Sequence, residues 1–183
     1  YEKKGIEAIK YNKFAVVTMA GGQGTRLGHN GPKGTYILDI KPEPKSLFEI
    51  LCDNLKNAKN KYNVIIPWYI MTSRENNEET VKFLKEKNYF GYPENSVKLF
   101  KQGKVPLISN EGKLLIGKNK LIKEASDGNG SIYKSLETNG ILKEMRQKNI
   151  DWIFVGGVDN ILLKIIDPLL LGITVSENNK IGS

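Results

Sequence analysis

The 183-residue chain has one cysteine, one histidine and three arginines, and no apolar run of the roughly 18 residues that a membrane-crossing helix needs. The lone cysteine, Cys52, cannot close an internal disulfide, and its place in an amphipathic segment reads as a buried thiol. With His29 the only histidine, the chain offers no convincing Ser-His-Asp or Cys-His set. His29 itself reads as a solvated loop residue. The N-terminus, Tyr1-Glu2-Lys3-Lys4, is polar and has no stretch resembling a signal peptide. A reducing, cytoplasmic setting is expected. The scarcity of arginine also bears on the net charge of +8. Lysines scattered among asparagines describe a solvated surface, whereas a nucleic-acid binder shows a basic stripe with arginine and stacking aromatics. No nucleic-acid or membrane partner is expected. There is no internal repeat and no low-complexity tail.

Apolar residues make up 39% of the chain and charged residues 26%, the composition of a soluble α/β domain with a real core. Two familiar phosphate-binding patterns are absent. The dinucleotide fingerprint requires Gly-x-Gly-x-x-Gly, but after Gly22 and Gly24 the third position is Leu27. The Walker loop requires Gly-Lys-Ser/Thr, but Lys33 lies between Pro32 and Gly34. What is present is the apolar run Val16 to Met19, then Ala20-Gly21-Gly22-Gln23-Gly24-Thr25-Arg26-Leu27-Gly28, then Gly31-Pro32-Lys33-Gly34. Glycines admit close backbone approach and leave N–H groups bare as an anion cradle. Arg26 adds a planar fork for phosphate oxygens and Lys33 a point charge. The alternative is a tight turn with no ligand.

Strand and helix signals alternate along the chain. Strands are expected at Phe14 to Met19, Val64 to Met71, Ser96 to Phe100 and Asp151 to Val158. Pro67 inside the second marks it as an edge strand or a bulge. Ser46 with Glu49 forms a capping box before a helix carrying Leu47, Leu51, Leu55 and Ala58 on one face. Ser73 reads as the cap of a polar helix with Val81 and Leu84 on its buried side. Residues 104–128 form a long excursion with a hairpin at Asn110-Glu111-Gly112. Helical pieces follow at Ser131 to Leu136 and Ile141 to Lys148, and Asp167-Pro168 starts another helix. The pattern predicts an α/β fold with a mostly parallel sheet, where ligands bind outside the carboxyl ends of the strands. The glycine loop, Gln102 and Asp159 each follow a strand and so share one end of the sheet.

Each of these residues has a chemical reading beside a plainer one. Asp159 ends an apolar strand abruptly and is placed to hold Mg²⁺ near a triphosphate, or else to cap the next turn. Gln102 can donate and accept at the edge of a base. Asp127-Gly128-Asn129-Gly130-Ser131 is a second glycine-rich turn, before a helix whose N–H groups can face an anion, or else a plain turn.

The glycine loop resembles the signature loop of sugar nucleotidyltransferases. Four further segments extend the likeness: Ile65 to Ser73, Phe100-Lys101-Gln102-Gly103, Asp127 to Gly130, and Val158-Asp159-Asn160-Ile161-Leu162. In this order they resemble the eukaryotic UDP-N-acetylglucosamine pyrophosphorylases (UDP-N-acetylhexosamine uridylyltransferases), from about Phe14 to Asp167. The resemblance implies a Rossmann-like nucleotidyltransferase fold, a mostly parallel mixed sheet flanked by helices. It implies conversion of UTP and N-acetylglucosamine 1-phosphate into UDP-N-acetylglucosamine and pyrophosphate, with Mg²⁺. It assigns Arg26 and Lys33 to the reacting phosphates. Ala20, Gly21, Gly22, Gly24, Thr25, Gln102, Gly128 and Asp159 fall on the nucleotide side, with Gln102 at the uracil edge. Asn129, Gly130 and Asn160 fall on the sugar side, and Asp159 serves the metal.

Four positions depart from that pattern: Ser126 stands for a proline, Ser131 for a glycine, and Gly156-Gly157 for bulkier residues. Family members also continue further. Residues 1–12 are therefore expected to be an N-terminal segment, and residues 13–183 the nucleotide-binding part of an incomplete catalytic domain. Alone, such a part is expected to be marginally stable and prone to self-association, to bind UTP weakly if at all, and to turn over negligibly. A UDP-glucose or broad UDP-sugar pyrophosphorylase, and a UTP-binding module without turnover, are the competing readings.

Overall fold

The computed structural model describes residues 1–183. Four strands form one fully parallel sheet in the order β5-β4-β1-β8, with β1 at Phe14–Met19, β4 at Trp68–Thr72, β5 at Val97–Lys101 and β8 at Trp152–Gly157. Antiparallel pairing is confined to two small ladders outside it. One joins β2 (Ile37–Leu38) to β3 (Lys45–Ser46), the other β6 (Lys104–Pro106) to β7 (Glu124–Ser126).

Period-two alternation along the strands sorts the core onto two faces. Val16, Trp68 and Ile70 meet α2 (Leu47–Tyr62) through Phe48, Leu51 and Leu55, with α1 (Glu2–Lys10) and α6 (Pro168–Ser176) beside it. Ala15, Val17, Tyr69 and Met71 meet α4 (Ile132–Thr138) and α5 (Ile141–Gln147) through Ile132, Leu136, Ile141 and Met145. Two helical layers therefore enclose a sheet whose central strands are buried except at Met19, as a parallel sheet requires. Strand β8, at one edge, has Trp152 to Val155 only half-buried. No helix is long and apolar enough to cross a membrane.

Ser46 caps α2 as expected, its hydroxyl accepting from Glu49 N at 3.2 Å. Asp167 caps α6, accepting from Leu169 N and Leu170 N, with Pro168 in the first turn. Cys52 is buried under Tyr89, and burial pushes its thiol up to about 12, which removes it as a nucleophile.

Three sequence expectations are corrected. Pro67 does not mark an edge: β4 is a central strand that starts after Pro67, whose carbonyl accepts from Val16 N. Ser73 does not cap the next helix: α3 spans Asn77–Glu86 with Asn76 at its N-cap, and its buried residues are Thr80 and Leu84. The excursion holds two hairpins rather than one. Leu115 N donates to Leu107 O, Lys123 N to Leu115 O, and Leu107 N to Lys123 O, a ring at a spacing of eight residues. Its apolar side chains, Ile108, Leu114, Ile116, Leu121 and Ile122, are exposed.

Helices α1 and α6 cross at two glycines. A Cβ on Gly5 would lie 1.9 Å from Pro168 O, and one on Gly172 would lie 2.0 Å from Tyr1 O. The N-terminal helix is thereby packed directly onto the last one.

Candidate nucleotide site

The order of the sheet fixes where a ligand can enter. From β1 the chain moves outward to β4 and β5, then returns to the opposite side of β1 as β8. The strand order therefore reverses direction at β1, and the carboxyl end of the sheet at such a reversal is the usual ligand position. The glycine loop leaves β1, and Val158-Asp159 leaves β8.

Ala20 N still belongs to the sheet, donating to Met71 O at 2.7 Å. The next three N–H groups, of Gly21, Gly22 and Gln23, donate to nothing within the chain. Pairing resumes at Gly24 N, which donates to Gly31 O, and at Lys33 N, which donates to Gly22 O at 3.0 Å. Such a run of unpartnered donors at the end of a strand leaves its N–H groups available to an anion. The loop is held from below. His29 Nε2 lies 2.8 Å from Thr35 Oγ1, and Thr35 donates to Pro32 O. A Cβ on Gly24 would lie 2.8 Å from the His29 ring. His29 is thus a partly buried prop of the loop, a correction to its reading as solvated. Thr25 and Arg26 sit on an exposed helical turn, Thr25–Leu27.

Lys33 reaches across to the end of β8, its Nζ 2.9 Å from Asp159 Oδ2. The bond from Lys33 holds the Asp159 carboxyl below the usual carboxylate range, against the opposing effect of partial burial, with Arg26 adding a smaller pull. Arg26 itself pairs with no carboxylate within salt-bridge distance.

On the β5 side, Gln102 is 5% exposed and donates its backbone N–H to Thr72 O at 2.9 Å. Its side-chain amide lies directly over Gly21: a Cβ there would be 1.9 Å from Gln102 Oε1. Any larger residue at position 21 would push this amide aside and crowd Ser73 N, which lies 3.3 Å from the same Cβ position. The amide makes no hydrogen bond within the chain and borders a polar cavity of about 520 Å³, lined also by Arg74, Lys101, Gly103, Thr138 and Asn139. The second glycine turn docks on the same strand end. Asp127 N donates to Gly103 O, and a Cβ on Gly103 would lie 2.3 Å from Asp127 Oδ2. Ser131 Oγ lies 2.6 Å from Asp127 Oδ1. Gly128 has φ 83°, a glycine conformation, whereas Gly130 has ordinary φ and open space around it.

The structure therefore brings two groups of the expected residues together: Gly21, Gln102 and the Asp127-Gly128 turn on one side, Gly22, Lys33 and Asp159 on the other. Thr25, Arg26, Asn129, Gly130 and Asn160 are exposed at the rim, where their side chains bond to no other residue. One buried polar residue went unread in the sequence. Asn76 hydrogen-bonds the glycine loop from beneath, and its only sequence signal is an asparagine three residues after Ser73.

A parallel α/β sheet with bare loop amides, a lysine–aspartate pair and a buried amide at the end where its strand order reverses is the architecture of a doubly wound α/β domain. The sequence profile of the UTP–glucose-1-phosphate uridylyltransferase (UDPGP) family matches residues 2–182, and the chain belongs to this family. It is 37% identical to UDP-N-acetylglucosamine diphosphorylase 2 of Arabidopsis thaliana, over 96% of this chain and 37% of that protein. It is 35% identical to the UDP-N-acetylglucosamine pyrophosphorylase of Saccharomyces cerevisiae, over 100% of this chain and 39% of that protein. The crystal structure of the uridine diphosphate N-acetylglucosamine pyrophosphorylase from Trypanosoma brucei in complex with an inhibitor superposes with a TM-score of 0.87. Its sequence is 30% identical, over 97% of this chain and 38% of that one. The chain thus spans well under half the length of these relatives.

Proposed function

We propose that this chain forms the UTP side of a uridylyltransferase site that joins UTP to N-acetylglucosamine 1-phosphate, giving UDP-N-acetylglucosamine and pyrophosphate. The observation that carries the reading is the placement of the Gln102 amide over Gly21, next to three unpartnered loop amides and the Lys33–Asp159 pair. The names of the relatives support the sugar.

In this reading the uracil edge meets Gln102, and the slot over Gly21 admits a pyrimidine more readily than a purine. The N–H groups of Gly21, Gly22 and Gln23 receive phosphate oxygens. Lys33 exchanges Asp159 for the triphosphate, and Arg26 closes on it from the rim. Asn129, Gly130 and Asn160 face the sugar phosphate, whose oxygen attacks the α-phosphorus in line as pyrophosphate leaves. No protein nucleophile is needed, because positioning and charge neutralisation supply the catalysis.

The chain fits a magnesium ion carried by the substrate. It has no group of three His, Cys, Asp or Glu that could cage a metal, but Mg²⁺ is usually held by one or two carboxylates together with phosphates. Asp159 is the carboxylate that would hold it. Bound there, Mg²⁺ would draw charge from the α-phosphate. A reducing, cytoplasmic setting belongs to the same proposal and rests on the single buried cysteine.

The test is calorimetry of Mg²⁺·UTP, Mg²⁺·CTP and Mg²⁺·ATP on the chain. Saturable one-site binding with UTP preferred is expected, and equal affinity for UTP and ATP contradicts the reading. A second reading, a UDP-glucose pyrophosphorylase, is supported by the family description. Calorimetry of UDP-glucose set against UDP-N-acetylglucosamine on the chain separates the two.

A further inference from the structure

Asn76 is fully buried at the turn between β4 and α3. Its Oδ1 accepts from Ser73 N at 2.9 Å, and its own N–H donates to Ser73 Oγ at 3.2 Å. Its carbonyl accepts from Thr80 N and from Thr80 Oγ1, which anchors it to the first turn of α3. The side-chain Nδ2 then reaches outside this turn. It donates to Ala20 O at 3.0 Å and to Gly22 O at 3.3 Å.

These bonds set the orientation of the glycine loop. In a trans peptide the C=O and the following N–H point in opposite directions. Turning the Ala20 and Gly22 carbonyls down onto Asn76 therefore turns the N–H groups of Gly21 and Gln23 up, away from the protein. Those are among the loop donors left unpartnered. Glycines at 21, 22 and 24 would otherwise let these planes rotate freely. A carboxamide suits the position because it donates twice from one nitrogen and accepts at its oxygen.

We propose that Asn76 is a positioning residue for nucleotide phosphates: it fixes the peptide planes of the glycine loop so that its amides face a triphosphate. This rests on the UTP reading above. It makes two demands. Losing the Nδ2 donors must weaken binding of the triphosphate and spare the base, and it must loosen the loop even without ligand.

The experiment compares the native chain with Asn76→Asp and Ser73→Ala. Asn76→Asp keeps the size and the acceptor for Ser73 N, but removes both donors and sets a carboxylate against two carbonyls. Ser73→Ala removes the bond from Asn76 N to Ser73 Oγ and the hydroxyl's contact with Glu75, but leaves both Nδ2 donors in place. Mg²⁺·UTP and uridine are titrated by amide NMR. Asn76→Asp is expected to weaken Mg²⁺·UTP on the order of 30-fold and uridine less than about threefold, the loss of two oriented donors to an anion. Ser73→Ala is expected to change both less than about threefold. Unchanged UTP affinity in Asn76→Asp, or equal losses of UTP and uridine, overturns the proposal. If Asn76→Asp does not fold by circular dichroism, Asn76→Thr, one donor short, must give the same split at smaller size. If the native chain binds no UTP, the UTP reading fails, and the ligand-free chain decides the clamp. Exchange at the Gly24 and Lys33 amides must then be at least about tenfold faster in Asn76→Asp, and unchanged exchange overturns it.

Discussion

The two glycine-rich turns at the end of the sheet are held in opposite ways. The first, Ala20 to Gly34, is anchored along its length: by Asn76 at its start, by Gly24–Gly31 and Gly22–Lys33 backbone bonds in its middle, and by His29, Thr35 and Pro32 at its far end. The second, Asp127 to Ser131, is held where Asp127 meets Gly103 and where Ser131 meets Asp127 and Gly128, while the Asn129 side chain and Gly130 are exposed and unpaired. The difference matches the ligands proposed for them. Anion binding by backbone amides works when the donors are oriented before the ligand arrives, because no reorganisation is then needed. The rim of a sugar site gains specificity from contacts completed by the second substrate. The fixed turn should therefore be intolerant of change and dominate UTP affinity, whereas the free turn should tolerate change and leave UTP affinity nearly intact.

The largest effect is expected at Gly21. Gly21→Val displaces the Gln102 amide and should lower UTP affinity on the order of 100-fold, with a folded chain by circular dichroism. Lys33→Met, read by calorimetry, should cost about 1.5–3 kcal/mol of Mg²⁺·UTP binding, the scale of a hydrogen bond to a charged group. Gln102→Ala should cost about 1–3 kcal/mol and bring UTP and ATP affinities together, since it removes the unpaired side-chain amide over Gly21. In the second turn the cost should appear in stability instead. Gly128→Ala forces a side chain into φ 83° and should lower unfolding free energy by about 1 kcal/mol in urea, while Gly130→Ala should stay within about 0.5 kcal/mol. A Gly130→Ala variant that lost UTP affinity as Gly21→Val does would erase the contrast between the turns.

The smallest effect lies outside both turns and serves as their control. Glu144 on α5 accepts from Tyr69 Oη at 3.1 Å and pairs with Lys148 at 2.8 Å and with Lys98. Burial opposes its charge, but the bonds from Lys148 and Lys98 prevail and pull its carboxyl down to about 2. A carboxylate depressed on folding stabilises the fold above its unfolded value and loses that contribution as pH falls through the folded one. Stability should therefore decline between about pH 4.5 and about pH 2 by on the order of 1 kcal/mol from this group, and Glu144→Gln should flatten that part of the curve.

Sequence and structure agree where the signal is local. The glycine loop, Gln102 and Asp159 could all be placed at strand ends because each directly follows an apolar run. The caps at Ser46 and Asp167 were readable for the same reason. What escaped depends on partners far along the chain. Asn76 gains its meaning from carbonyls 54 and 56 residues earlier. Gly5 and Gly172 matter only because their helices cross, and no local pattern states that. Pro67 looked like an edge marker because its missing N–H was weighed, while its carbonyl, which Val16 uses, was not. The ring at residues 107, 115 and 123 escaped because its period is that of two short hairpins, not of a structural repeat.

The central claim is that Gly21 and Gln102 form a uracil slot beside a fixed phosphate loop. Amide NMR of the 183-residue chain during titration with Mg²⁺·UTP, and separately with Mg²⁺·ATP, tests it most directly. Saturating shifts should gather at Gly21, Gly22, Gln23, Lys33, Gln102 and Gly128, at lower UTP than ATP concentration, with Asn129 and Gly130 moving less until N-acetylglucosamine 1-phosphate is added. Shifts of equal size and midpoint with both nucleotides, or shifts that bypass Gly21 and Gln102, would contradict it.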